Sequence, residues 1–152
     1  MTTTTPPVNP RSIALAHYAG RALLEHVLAR HGVTFQQSVT LRLAAVADGP
    51  AEWDDIAHGV VDSLKCDPAE AHAVVDELVK AGLLAPEGSS RVRITDAGRE
   101  LYDTTSAETA PISARIYVGI PQEDLAVTGR VLTLIKERAD AEFAALIAPA
   151  VK

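Results

Sequence analysis

The sequence predicts an all-α chain with a small β-wing, and three features carry that expectation. Apolar residues recur at spacings of three and four through most of its length, the period of a helix with one buried face. One short segment, Arg91-Val92-Arg93-Ile94-Thr95, alternates with period two instead, as a strand with one solvent face does. Between Asp48 and Glu87, just before it, two short helical patterns are joined by a turn, the outline of a helix-turn-helix. That stretch holds ten acids (Asp48, Glu52, Asp54, Asp55, Asp62, Asp67, Glu70, Asp76, Glu77 and Glu87) against two bases, Lys65 and Lys80. It therefore sums to −8 in a chain whose total is −6. A module that reads DNA needs cations against phosphate, because counterion release supplies most of the non-specific affinity. Shape and charge point in opposite directions.

The elements follow in order. From Pro10 to Arg30 an amphipathic helix carries Ile13, Ala16, Ala19 (or Gly20), Leu23 and Val27, with Leu24 and Leu28 widening the stripe, and His31-Gly32 closes it. Thr34, with Gln37 three residues on, forms a capping-box pattern for a second helix through Val39, Leu41, Leu43 and Val46, which stops before Gly49-Pro50. A third helix spans Ala51 to Leu64. Asp67 as N-cap and Pro68 at the first helical position start a fourth, which packs Val74, Val75, Leu78 and Val79 and ends at Ala81-Gly82. Leu83-Leu84 opens an extended segment, Glu87-Gly88-Ser89-Ser90 is turn chemistry, and the alternating segment follows. Thr95 or Asp96 caps a helix from about Ala97 to Thr105, extending to Val118 with a kink or interruption at Pro111. Pro121-Gln122-Glu123-Asp124 starts the last helix, which runs to about Ile147 with Leu125, Leu132, Ile135, Ala139, Phe143 and Leu146 along one stripe.

At 152 residues, with 47% hydrophobic and 22% charged residues, the chain has the composition of a globular domain able to bury a core. Its single cysteine, Cys66, excludes an intramolecular disulfide and fits a reducing compartment. No apolar run reaches the roughly 18–20 residues of a membrane span. Met1 to Pro10 lacks the charged and apolar regions of a signal peptide, so a cytoplasmic protein is expected, with residues 1–9 as a disordered or extended arm. The apolar terminal helices carry more surface than one copy can cover, which predicts a homodimer.

The order of helices, turn, wing and long helices resembles the multiple-antibiotic-resistance regulator (MarR) family of winged-helix transcription factors. Leu64-Lys65-Cys66-Asp67-Pro68 is similar to that family's turn into its recognition helix. The run from Val74 to Leu84 resembles the end of that helix and the first wing strand. Arg93-Ile94-Thr95-Asp96-Ala97-Gly98-Arg99 resembles the second wing strand and the T-x-x-G start of the next helix, and Pro121 to Asp124 the start of the last dimerisation helix. The resemblance implies a single domain over 10–152, with a winged helix-turn-helix core at 33–96 and dimerisation helices at 10–32 and 97–148. It places Ala69, Glu70, His72 and Ala73 on the groove-facing turns and Arg91 and Arg93 at the wing, and it implies double-stranded DNA as a partner. None of the four helix positions is the Arg, Asn or Gln that would make a bidentate purine contact. The wing tip is short, and its arginines could reach a minor groove.

The resemblance also implies a pocket for a small aromatic or anionic ligand between the dimerisation helices and the core. His17, Tyr18 and Arg21 fall within one turn of the first helix, where Arg21 could pair with a carboxylate; a solvated face or inter-subunit ion pairs is the plainer reading. Trp53, the one tryptophan, reads either as pocket wall or as core anchor. Cys66 reads either as a redox sensor or, with the acid Asp67 beside it, as a structural residue, which is the plainer reading. His26 and His31, five apart, do not share a helix face as a metal pair would, and no cofactor is implied. No nucleophile elbow, phosphate-cradling loop or HExxH motif is present, and the carboxylates from Glu52 to Asp62 read as a solvated face. The leading expectation is a ligand-responsive, DNA-binding transcriptional regulator. The alternatives are a scaffold of the same fold that has lost DNA binding and acts as a small-molecule binding protein or enzyme, and an acidic protein-interaction module.

Overall fold

The computed structural model describes residues 5–149. The element order is α1 (Pro10–Ala29), α2 (Phe35–Val46), β1 (Ala51–Glu52), α3 (Trp53–Leu64), α4 (Pro68–Lys80), β2 (Leu84–Glu87), β3 (Arg91–Ile94), α5 (Asp96–Tyr117) and α6 (Gln122–Ile147). The chain divides into two compact units, Met1–Ile112 and Ser113–Lys152, the boundary falling inside α5. Of the expected N-terminal arm, residues 5–9 have neither helix nor strand, and residues 1–4 lie outside the described residues.

Local chemistry sets most boundaries. Thr34 accepts the Gln37 N–H at 3.1 Å while the Gln37 side chain takes the Thr34 N–H, so the capping box forms as its spacing predicts. Asn9 and Ser12 build a second capping box in front of α1, with Pro10 at its first position. Asp67 accepts the Ala69 N–H at 2.8 Å and starts α4. Lys65 closes α3 in the left-handed region (φ 54°), which turns the chain toward α4.

Two expectations need correction. The third helix does not begin at Ala51: Ala51 and Glu52 form a short strand, with Ala51 opposite Val92 and Glu52 opposite Arg91, giving an antiparallel sheet of order β1-β3-β2. Pro50 disfavours helical backbone at the junction before it, and the exposed edge of β3 offers partners that sequence spacing alone does not show. Of the kink or interruption expected at Pro111, the interruption does not occur: α5 is one continuous helix through it. One ladder bond is lost there, and because Ala107 and Pro111 are both exposed, water can take the carbonyl left without a donor.

The core of the first unit is a cluster of Leu41, Ala44, Ile56, Val75, Leu78, Leu84 and Val92, in which α2, α3, α4 and the sheet meet. A satellite of Ala57, Val60 and Ala71 joins α3 to α4, with Cys66 packed partly buried against it. The Thr95 hydroxyl locks the sheet to α5: it donates to the Gly82 carbonyl at 2.6 Å and accepts the Gly98 N–H at 3.0 Å. At the end of α1, Arg30 and His31 both reach Glu108 of α5, at 3.0 and 3.1 Å. The hydrogen bond with His31, reinforced by attraction to His31 and Arg30, outweighs desolvation and holds the Glu108 carboxyl below the usual carboxylate range. A depressed native pKa adds stability above the ordinary carboxylate value, lost as pH falls through the depressed one. Between about pH 6 and pH 3 the melting temperature of Glu108→Gln should therefore fall less steeply than that of the parent chain. Parallel curves would show that this link contributes nothing.

Candidate nucleic-acid interface and ligand cluster

α4 buries Ala71, Val74, Val75 and Leu78, which leaves Ala69, Glu70, Ala73, Asp76, Glu77 and Lys80 facing solvent. Of the four groove-facing positions, Ala69, Glu70 and Ala73 are exposed, as a reading surface requires. His72 is half-buried on the flank of the helix, its Nε2 3.9 Å from Asp54 of α3. Glu77 accepts a hydrogen bond at 3.0 Å from Gln37 of α2. All ten acids between Asp48 and Glu87 are exposed, so the segment's charge of −8 stands at the surface and none of it is hidden in the core.

The wing carries the cations, but not equally. The register sets Arg91 between Glu52 on one neighbouring strand and Glu87 on the other. Its Nε lies 3.5 Å from the Glu52 carboxylate. Arg93, two residues on and on the same face, lies opposite Ala85 and has no carboxylate within ion-pair distance among the described residues. The backbone N–H of Trp53 donates to the Ser90 carbonyl at 2.8 Å, which ties the wing turn to the start of α3.

On α1 the structure does bring His17, Tyr18 and Arg21 together, around a residue not singled out from sequence. The Arg21 guanidinium sits 4.2 Å from the centre of the Phe35 ring, and His17 meets the same ring edge-on at 6.4 Å. The His17 and Tyr18 rings are 6.0 Å apart and tilted. Arg21 Nε also bonds Glu25 at 3.1 Å, so its charge is already partly answered within the helix. Phe35 opens α2 just after the Thr34 cap; one aromatic at a helix start has no periodic signature, and only the packing of α2 on α1 reveals it. Trp53 is placed apart from these residues, partly buried against the main core cluster at the start of α3. No group of three His, Cys, Asp or Glu side chains suited to a metal occurs among the described residues. No described helix is long and apolar enough to cross a membrane.

No protein-family model matches the chain, and no curated protein matches it in sequence. Solved structures do. A MarR protein from Peptoclostridium difficile superposes with a TM-score of 0.75 at 15% identity, over 96% of this chain and 96% of that one. Ligand-free NadR gives 0.70 at 20% identity, over 86% of this chain and 96% of that one. CouR from Rhodococcus jostii RHA1, solved bound to p-coumaroyl-CoA, gives 0.61 at 20% identity over 92% of each chain. With its six helices and small three-stranded antiparallel sheet, this chain has the fold of the MarR-family winged-helix proteins.

Proposed function

We propose that the chain is a ligand-responsive, DNA-binding transcriptional regulator that works as a homodimer. One observation carries the reading: an exposed helical face on α4 stands beside an arginine-bearing wing, in the order and geometry of structures solved as MarR-family regulators. In this reading Ala69, Glu70, His72 and Ala73 face the major groove and Arg91 and Arg93 the minor groove. The helix positions include no bidentate purine reader, so sequence discrimination rests on shape, on Glu70 accepting from a cytosine amine and on the wing arginines. The effector subsite is the His17, Tyr18, Arg21 and Phe35 cluster, whose ring faces and guanidinium suit a planar ligand, provided an anionic one displaces Glu25 from Arg21. CouR, solved with an acyl thioester bound, supports a small-molecule input on this scaffold.

A second reading, a MarR-fold protein that binds small molecules without binding DNA, is favoured by the surface charge of α4 and the pairing of Arg91 with Glu52. Fluorescence anisotropy on the chain's own upstream DNA separates the two. The regulator reading expects tight binding at about 50 mM salt with a steep loss toward 200 mM. No binding at the lower salt would leave only the second reading. The Glu52–Arg91 pair makes a sharper check. An exposed pair of this kind contributes at most about 1 kcal/mol to folding, so Glu52→Gln should leave stability nearly unchanged. It frees Arg91 for phosphate, and DNA affinity should rise with a steeper salt dependence, whereas Arg91→Ala should lower both. Equal affinities for the two variants would remove Arg91 from the interface.

A further inference from the structure

Gln37 divides its side chain between two helices. Its Oε1 accepts the Thr34 N–H at 3.1 Å and completes the capping box of α2, while its Nε2 donates to Glu77 Oε2 of α4 at 3.0 Å. Only one orientation of the carboxamide serves both partners, because an N–H needs the oxygen and a carboxylate needs the amine. The first turn of α2 is itself anchored. Thr34 caps it through the Gln37 N–H, and the Phe35 ring lies 4.2 Å from the Arg21 guanidinium of α1. Glu77, 40 positions after Gln37, is thereby tied to a fixed point outside the helix-turn-helix.

Nothing else on α4 is held in this way. Among the described residues this is the only side-chain hydrogen bond joining α4 to another element. His72 Nε2 stands 3.9 Å from Asp54, beyond hydrogen-bond reach, and Glu70 and Asp76 have no side-chain partner among the described residues. The buried face of α4, Ala71, Val74, Val75 and Leu78, is wholly aliphatic. Apolar packing is non-directional, so it sets the depth of the helix more firmly than its roll about its own axis. A hydrogen bond to a carboxylate is directional and stronger than a neutral one, and it supplies the missing constraint.

We propose that Gln37 is a positioning residue for the reading helix: through Glu77 it holds α4 against rolling on the core, and Glu77, although an acid on that helix, favours DNA binding. The effect on DNA rests on the regulator reading given above; the tie between α2 and α4 does not. Removing an acid from a DNA-facing surface ordinarily strengthens binding to phosphate. The sign of the effect therefore distinguishes Glu77 from its neighbours.

Asp76→Ala and Glu77→Ala make the same charge change at adjacent positions of one helix. On the chain's own upstream DNA at about 50 mM salt, Asp76→Ala is expected to strengthen binding and Glu77→Ala to weaken it at least about threefold. Binding by Glu77→Ala as tight as that of the parent chain overturns the proposal, and so does an equal weakening by both variants. Gln37→Glu supplies an arm that needs no DNA. Glutamate at this position caps α2 as glutamine does, yet it sets a carboxylate against Glu77. Amide hydrogen exchange at Ala81 and Gly82, where α4 ends, should accelerate at least about threefold in Gln37→Glu. Adding Glu77→Gln restores a donor facing a carboxylate at the parent's net charge, and exchange should return to within about twofold of the parent. A residue that only caps α2 would leave these amides unchanged in both variants. Exchange unaltered by Gln37→Glu, or a double variant no slower than Gln37→Glu alone, overturns the tie. A parent chain that fails to bind DNA removes the regulator reading, and the exchange arm then decides whether Gln37 holds α4. Thermal melts identify a variant that does not fold; should Gln37→Glu be one, exchange in Glu77→Ala makes the same comparison.

Discussion

Gly98→Ala is expected to cost about 3 kcal/mol or more of unfolding free energy, a large effect for one methyl group. A Cβ at this position would fall on the carbonyl oxygen of Leu83 and within 2.9 Å of Ile94 Cγ1. That carbonyl cannot yield easily, because it accepts the Thr95 N–H at 3.1 Å and belongs to the turn that the Thr95 hydroxyl also holds. The third residue after Thr95 must therefore be the one without a side chain, which is the physical content of the T-x-x-G pattern at this junction. Gly20→Ala is the matching control: nothing lies within 4 Å of its Cβ position, and it sits in the interior of α1. Removing that glycine's chain entropy should stabilise the protein by roughly 0.5–1 kcal/mol. Urea unfolding followed by circular dichroism measures both. A Gly98→Ala loss within about 0.5 kcal/mol would mean that the start of α5 is not held against the sheet as described.

The double substitution Leu132→Asp with Ile135→Asp is expected to convert a dimer to monomers. None of the described residues of α6 is buried, yet Val131, Leu132, Ile135, Phe143 and Leu146 stand exposed along it, Leu146 at 81%. On α1, Leu15 and Tyr18 are exposed as well. In the homodimer proposed above, a second copy would lie against this stripe on a helix of 26 residues. Two carboxylates placed in an apolar contact cost several kcal/mol through lost burial and desolvation, so association should weaken at least about a hundredfold. Sedimentation velocity reads this directly, and the far-ultraviolet spectrum should stay helical because both sites are solvent-facing in the single chain. A parent chain that sediments as a monomer, or a double variant that remains dimeric, would remove the terminal helices as the interface. A regulator that reads two half-sites one helical turn apart, about 34 Å, should lose DNA affinity together with the dimer.

Much of the fold was legible because its signals are local. Thr34 with Gln37, Asp67 with Pro68, and the turn at Gly88 each fix a boundary through groups a few residues apart, and the period-two run at Arg91 marks β3 directly. The exposure of Ala69, Glu70 and Ala73 followed from the helical period of Val74, Val75 and Leu78 on the opposite face. The site was less legible because its pairings span long separations. Nothing near Arg91 in sequence indicates Glu52, 39 residues earlier, as its partner. His31 gives no local hint of Glu108, 77 residues away. Phe35 lies under Arg21 only because α2 folds back on α1.

The sequence by itself determined the order of helices and wing, the caps that start α2 and α4, and the acidity of the segment that follows the second helix. These depend on spacing, on side-chain chemistry and on counted charge, none of which needs a partner far along the chain. Only the tertiary structure decided that two residues before α3 join the sheet and that all ten acids lie at the surface. It also decided that Arg91 is answered by a carboxylate while, among the described residues, none lies within ion-pair distance of Arg93 or Arg99. The reason is physical: a cation's availability depends on which carboxylate the packed core brings within a few ångströms, and that distance is set by contacts between elements that sequence order leaves open.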